Sequence, residues 1–476
     1  MLIECKKDKE SVLEKVKSGK IDSICMSSTN FVEDIVLSMH RQGILNCIVS
    51  TMIDKRKHNA TVPYNVILAA AIVAKMKVQT SLTDIPYALT DHRLIGELGY
   101  TFYDTDRNVG KALMTESSLR FLIDKYSPEE FLSGYNDSVQ KGIMKKLGLT
   151  ANIHILDCTD LEVNFKNKNY ENSGISHSKR MPDGTEVRAR GYKLATLRGI
   201  VGDRGIIEEI QLGSLNTHDL NLSKDMILQS EMLKEGDILI NDRGFLSRDV
   251  MNYLKKVRGV DTYVPLRQDM QSYAMAVSAA KMENKWRNHP SRKYKGQKIC
   301  LIEDLGPYWI PKEREYDLPD CPINGCVIWN TATDNYSVIV TTDTKRTASQ
   351  IIKTYMLRPE IEEDYRQLKD FWKLEDFKST KYVFIAFHIV CSLFGYLFFQ
   401  LYTLLPDGEK YAGKCLPVIL KKYVPKLSGN FIIYVDNEFG IFSMIELLKL
   451  YSSSPWNIQE ILEKVINQME DLHVEP

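Results

Sequence analysis

Over the first 150 or so residues apolar positions come in helical blocks, with no strand-like alternation between them. The run YNVILAAAIVAK (64–75) is rich in Ala, Leu and Ile, and Ser81 opens SLTD, a capping-box-like start. Ser127-Pro128-Glu129-Glu130 is a stronger helix start, with Ser as N-cap, Pro at the first helical position and Glu at the third. This stretch reads as a separate helical unit. Near Asn152 the pattern changes to short apolar runs. NIHILDCTDLEV, GYKLATLRGIV, GIIEEIQLGS, DILIND (237–242) and DTYVPLR (261–267) read as strands. Helices are expected over 222–233 and from Ser247 to Lys256. Strands and helices in this order predict an α/β domain around a central sheet.

Residues 268–335 break that rhythm. KICLIEDL and GCVIWNTAT are short strand candidates there, so the segment reads as an inserted, mostly β subdomain. The α/β pattern resumes with YSVIVTTD (336–343) and a helix from Thr347. The resulting units are 1–150, 151–267, 268–335, 336–405 and 406–476, the last predicted helical. Ser454 and Pro455 would start its final amphipathic helix, with Ile461, Leu462, Val465, Ile466, Met469 and Leu472 as the stripe.

Two features complicate the picture. YVFIAFHIVCSLFGYLFFQLYTLLP (382–406) has no charged residue and would cross a bilayer. A helix apolar on all sides is equally the central helix of a large domain, and that is the expectation: no membrane partner. The start, MLIECKKDKESVLEKV, lacks an apolar core, so no secretion signal is expected. Nine scattered cysteines read as reduced thiols of a cytoplasmic protein.

The 62 basic and 62 acidic residues cancel, which speaks against a polyanionic partner until their distribution is considered. Between Lys281 and Lys298 seven Lys or Arg face the single Glu283, with Trp286 and Tyr294 interleaved. A second basic stretch, Lys166–Lys193, includes Lys168, Lys179, Arg180, Arg188 and Arg190.

Chemistry is carried by acids. Asp157 is expected to end the strand IHILD and Asp242 the strand DILIND. Ligands gather beyond strand ends in open α/β sheets, and carboxylates suit hard cations, although an Asp after a strand often only starts a turn. In TYMLRPEIEEDYRQLKDFW (354–372), Tyr355, Arg358, Glu362 and Lys369 fall within roughly 60° on a continuous helix. Pro359 interrupts that helix, or begins it.

Tyr355-x2-Arg358-x3-Glu362-x6-Lys369 matches the signature of bacterial insertion-sequence transposases of the DDE type, in the ribonuclease-H-like superfamily. Asp157-Cys158-Thr159 and Asn241-Asp242-Arg243-Gly244-Phe245 resemble the contexts of that family's two aspartates, and 268–335 occupies the place of the β insertion of its cut-and-paste members. Pro359 departs from the pattern, because many relatives carry an aromatic residue there.

The resemblance, spanning about 150 to 405, implies a ribonuclease-H-like catalytic domain. Asp157, Asp242 and Glu362 would hold two Mg²⁺ or Mn²⁺ ions about 3.5–4 Å apart. It also implies DNA-backbone contacts by Tyr355, Arg358 and Lys369, and terminal-repeat binding by the N-terminal unit. The DNA would be cut within a homodimer paired through the C-terminal helices. Trp286, Trp309, Trp329 and Tyr336 are candidates for an aromatic that holds a flipped base. Asp160 and Glu363 compete with Asp157 and Glu362 but break the motif spacing, while His177 and His218-Asp219 read as ordinary polar residues. The alternative is a catalytically silent DNA-binding descendant of such an enzyme.

Overall fold

A computed structural model describes residues 6–27, 31–57, 60–100, 113–180, 185–311, 314–422, 430–453, 459, 460 and 463. The core is a ten-stranded sheet. Its principal strands are β1 (Ile153–Val163), β2 (Arg190–Val201), β3 (Arg204–Ser214), β4 (Ile238–Asn241), β5 (Asp261–Pro265), β6 (Gln297–Ile302), β7 (Asn324–Asn330) and β8 (Asn335–Thr341). Across the sheet they run β6-β7-β8-β5-β4-β1-β2-β3. Only β1, β4 and β5 are mutually parallel, as expected of strands joined through helices. The central part, with its flanking helices, is compatible with the ribonuclease-H-like architecture.

Segment 268–335 does not stand apart as a sheet of its own. It opens with a helix, Gln271–Glu283, and then supplies β6 and β7. These join β8, which pairs in turn with β5, so the inserted strands extend the central sheet. Alternation along a strand identifies a strand but not its neighbour, which depends on distant pairing.

Helix α2 (Tyr382–Tyr402) has the length and apolarity of a membrane span, yet nearly all of it is buried inside the protein. It packs on the helices Pro128–Asp137 and Tyr64–Met76 and on β3. Phe131 meets Phe387 with ring centroids 5.4 Å apart, and Tyr135 meets Phe394 at 4.9 Å. Each such buried side chain contributes on the order of 1.5–3 kcal/mol. Gly395 permits the close approach, since a Cβ there would stand 2.9 Å from Met76 Cγ.

The Ser127 capping box forms with both of its reciprocal bonds. The helix expected from Ser81 does not form: a turn leads into the short 3₁₀ segment Ile85–Tyr87. Both ends of the chain depart from an all-helical reading. The strand Ser23–Ser27 pairs with Asn430–Val435, which forms a hairpin with Glu438–Ser443, and Lys6–Lys7 completes a four-stranded sheet. Residues near each terminus thus find their partners at the other end of the chain. The amphipathic helix predicted from Ser454 lies outside the described residues.

Candidate active site

Asp157 does not end its strand: β1 continues to Val163, and Asp157 stands opposite Thr196 of β2. On its other side the shorter β4 stops at Asn241, paired with Leu156. The parallel ladder therefore ends one step before Asp157 on β1 and one step before Asp242 beyond β4. Register alone sets these two acids side by side. Asp242 leads directly into the 3₁₀ turn Arg243–Phe245.

The third acid arrives on helix α1 (Pro359–Arg366). The helix before it, Ala348–Tyr355, is opened by a Thr347–Gln350 capping box and ends at Met356, and the chain turns through Met356–Arg358. Pro359 then sits at the first position of α1, where no backbone donor is missed. Ile361, Asp364, Tyr365 and Leu368 are buried on one face, which leaves Glu362 on the cleft side with its side chain about half exposed.

Buried polar bonds brace this helix. The Tyr365 hydroxyl donates to the backbone carbonyl of Asp157 at 2.8 Å and lies 2.5 Å from Thr196 Oγ1. Asp364 accepts from Arg198 Nε at 2.6 Å and from the Tyr396 hydroxyl at 2.7 Å. The helix of the third acid is thereby tied to the residue that carries the first.

At the convergence of the three acids lies the Arg358 guanidinium. It stands 3.2 Å from Asp157 Oδ2, 3.5 Å from Asp242 Oδ2 and 2.5 Å from Glu362 Oε1. Burial pushes the Asp157 carboxyl up to about 6, with the Asp242 and Glu362 charges adding to it. Arg358 and the Cys158 backbone N–H pull the other way. Lys369 turns to the Asp160 carbonyl and to Glu375, 3.0 Å away. Tyr355 is half-buried, and its burial raises its hydroxyl pKa. In this state the arginine and lysine of the signature are both held by the protein's own oxygens.

These groups line an open cleft of about 860 Å³. Its walls hold eight acids (Asp157, Asp160, Glu162, Asp219, Asp242, Glu362, Asp370, Glu375) against four cations (Lys193, Arg358, Arg366, Lys369), a formal excess of four negative charges. Among the described residues no three acids, histidines or cysteines stand at metal-ligating distance; the triad members meet on Arg358 instead. The donor set still fits a hard dication, since three carboxylates around a cationic centre are the chemistry Mg²⁺ or Mn²⁺ selects.

Sequence reasoning passed over part of this cleft. Asp219 lies on its wall, 2.6 Å from Lys193 Nζ. A Cβ on Gly244, in the turn that follows Asp242, would stand 2.7 Å from Asp219 Oδ2. No motif spacing links residues 193, 219 and 244; β2, the start of the helix Asp219–Gln229 and the turn after β4 bring them together. His218 caps the following helix by accepting from the Leu220 N–H.

The family model described as transposase DDE domain matches residues 151–398, just over half of the 476-residue chain. The chain belongs to that family. Comparison with curated proteins returns no match. The matched span runs from the start of β1 to near the end of α2, so it takes in all three acids, the inserted strands and the buried helix that backs α1. Membership in this family of DDE-type transposases implies a DNA substrate and a divalent metal requirement.

Proposed function

We propose that this transposase binds the terminal inverted repeats of its element and cuts and rejoins DNA, with Asp157, Asp242 and Glu362 as its catalytic metal ligands. The observation that carries the reading is the meeting of these three acids, 85 and 120 residues apart along the chain (157 to 242, 242 to 362), around one cationic group. Divalent ions bound there would supply a polarised oxygen nucleophile and stabilise the leaving oxygen at phosphorus. Two dications would also cancel the four-charge excess of the cleft, without which a polyanion is repelled.

The remaining roles belong to the chain itself. Tyr365 holds the Glu362 helix against β1, Asp364 ties it to β2 and α2, and the turn after β4 presents Asp242. Lys369, on the cleft rim, takes a DNA phosphate once it leaves Glu375, as does Arg358 once it leaves the triad. Tyr355 packs behind them. The inserted segment offers a basic, aromatic face for the flanking duplex. Pairing of two ends implies a homodimer in the reacting complex, acting in the cytoplasm where the DNA lies. The test is cleavage of a duplex carrying the element's ends. It is expected to need Mg²⁺ or Mn²⁺ and to vanish in Glu362→Ala; metal-independent cutting, or full activity of that variant, would sink the reading.

A further inference from the structure

We infer that Arg358 is the resident counter-ion of the three acids, and that its departure couples metal binding to DNA binding. This rests on the reading of Asp157, Asp242 and Glu362 as metal ligands. Three carboxylates facing one cleft repel each other. The Arg358 guanidinium relieves it by reaching all three at once. No other cation of the cleft does so: Lys193 is bound to Asp219, Lys369 to Glu375, and Arg366 to Glu363.

The arrangement is also one that can open. The backbone of Arg358 is fixed by the turn before Pro359, where its N–H donates to the Tyr355 carbonyl at 3.0 Å. The guanidinium hangs from a long side chain beside an open cleft and can leave without moving that turn. Its Nε is buried with no hydrogen-bond partner, a standing cost that ends once the group swings outward. A phosphate offers the guanidinium a bidentate partner in exchange.

One guanidinium cannot serve the triad and a phosphate together, and a cation cannot enter the triad while Arg358 fills it. A metal ion alone must therefore displace Arg358, whereas a DNA phosphate that accepts Arg358 uncovers the acids. Binding of either partner favours the other, by the same factor in both directions.

Calorimetric titration of the full chain with Mn²⁺, with and without a short DNA duplex, tests this. Without DNA, Arg358→Gln is expected to bind Mn²⁺ at least about tenfold more tightly than the unaltered protein. Adding the duplex should tighten Mn²⁺ binding by the unaltered protein about tenfold and that of Arg358→Gln little, within the usual range of coupling between sites. Arg358→Lys, which keeps the charge but lacks the fork, should fall between and stands in if circular dichroism shows Arg358→Gln unfolded. Equal Mn²⁺ affinity in Arg358→Gln and the unaltered protein overturns the inference. Glu362→Gln separates the two readings: if it loses Mn²⁺ binding, the triad reading survives that failure. If it binds Mn²⁺ as the unaltered protein does, the triad reading falls and the coupling with it.

Discussion

The acidic cleft and the inserted segment are both rich in cations, but they hold them differently. In the cleft every cation has an acidic partner, and acids outnumber them two to one. On the insertion, Arg287, Arg292, Lys293 and Lys295 are exposed, and neither they nor Lys298 meet an acidic partner among the described residues. Lys285 and Arg314 are paired with Glu283 and Asp320, but others lie against rings: Lys281 stands 4.6 Å from the Tyr336 ring centroid and Lys298 5.6 Å from that of Trp329. Trp329 and Tyr336 stack at 6.0 Å, with Trp286 beside Trp329 at 5.3 Å. A surface of unpaired cations and rings can meet a polyanion as it is. The cleft must first exchange its internal ion pairs for external ones. On the proposed function, the difference separates a region suited to capture from one suited to conditional chemistry.

The sharpest way to break the comparison is to remove an acid from the cleft. Glu362→Ala should lower metal-dependent cleavage by on the order of a thousandfold or more, while duplex binding measured by gel shift or anisotropy stays close to that of the unaltered protein. A comparable loss of binding would mean the two regions do not divide the work. Acid should reach the cleft in a similar way. The Asp157 carboxyl, raised to about 6, must be ionised to hold a cation. Mn²⁺ affinity is therefore expected to be full above that pH and to fall about tenfold per unit below it, and a flat titration between pH 7 and 5 would exclude Asp157 as a ligand.

Beneath the cleft, Tyr365→Phe strips the hydroxyl from the Asp157 carbonyl and from Thr196. It should cost about 1–3 kcal/mol of stability in denaturant unfolding, with no effect on the salt dependence of duplex binding. The mildest change belongs to the insertion. Lys298→Ala should weaken duplex binding several-fold and reduce the slope of log affinity against log salt by about one, leaving Mn²⁺ affinity untouched. A shift in metal affinity instead would show that the two surfaces are energetically connected.

How far this could be read from the sequence follows from how local each feature is. The strands of the central sheet, the Ser127 capping box and a helix opening at Pro359 depend on neighbours a few residues away. The three acids were visible through their spacing and strand contexts. The position of Arg358 was not: its signature implied a DNA phosphate ligand, and only the register of β1 against β4 together with the seating of α1 brings three distant carboxylates around it. Asp219 read as an ordinary polar residue for a similar reason, since its relation to Gly244 is made by the start of a helix and a distant turn. The extension of the sheet through β6–β8 and the joining of the two ends are pairings at long range, to which local patterning is blind.

That joining of the ends has a bearing on how the protein comes into being. Chains are made from the N-terminus, and early parts commonly fold while later ones are still being added. The strand Ser23–Ser27 cannot do so, because its partner Asn430–Val435 is synthesised only after the whole central sheet. A chain halted by a frameshift before that hairpin keeps the first strand as a bare edge, open to pairing with another molecule. Products that stop short of that hairpin would then be prone to aggregation, and only a chain extending through Ser443 closes this sheet.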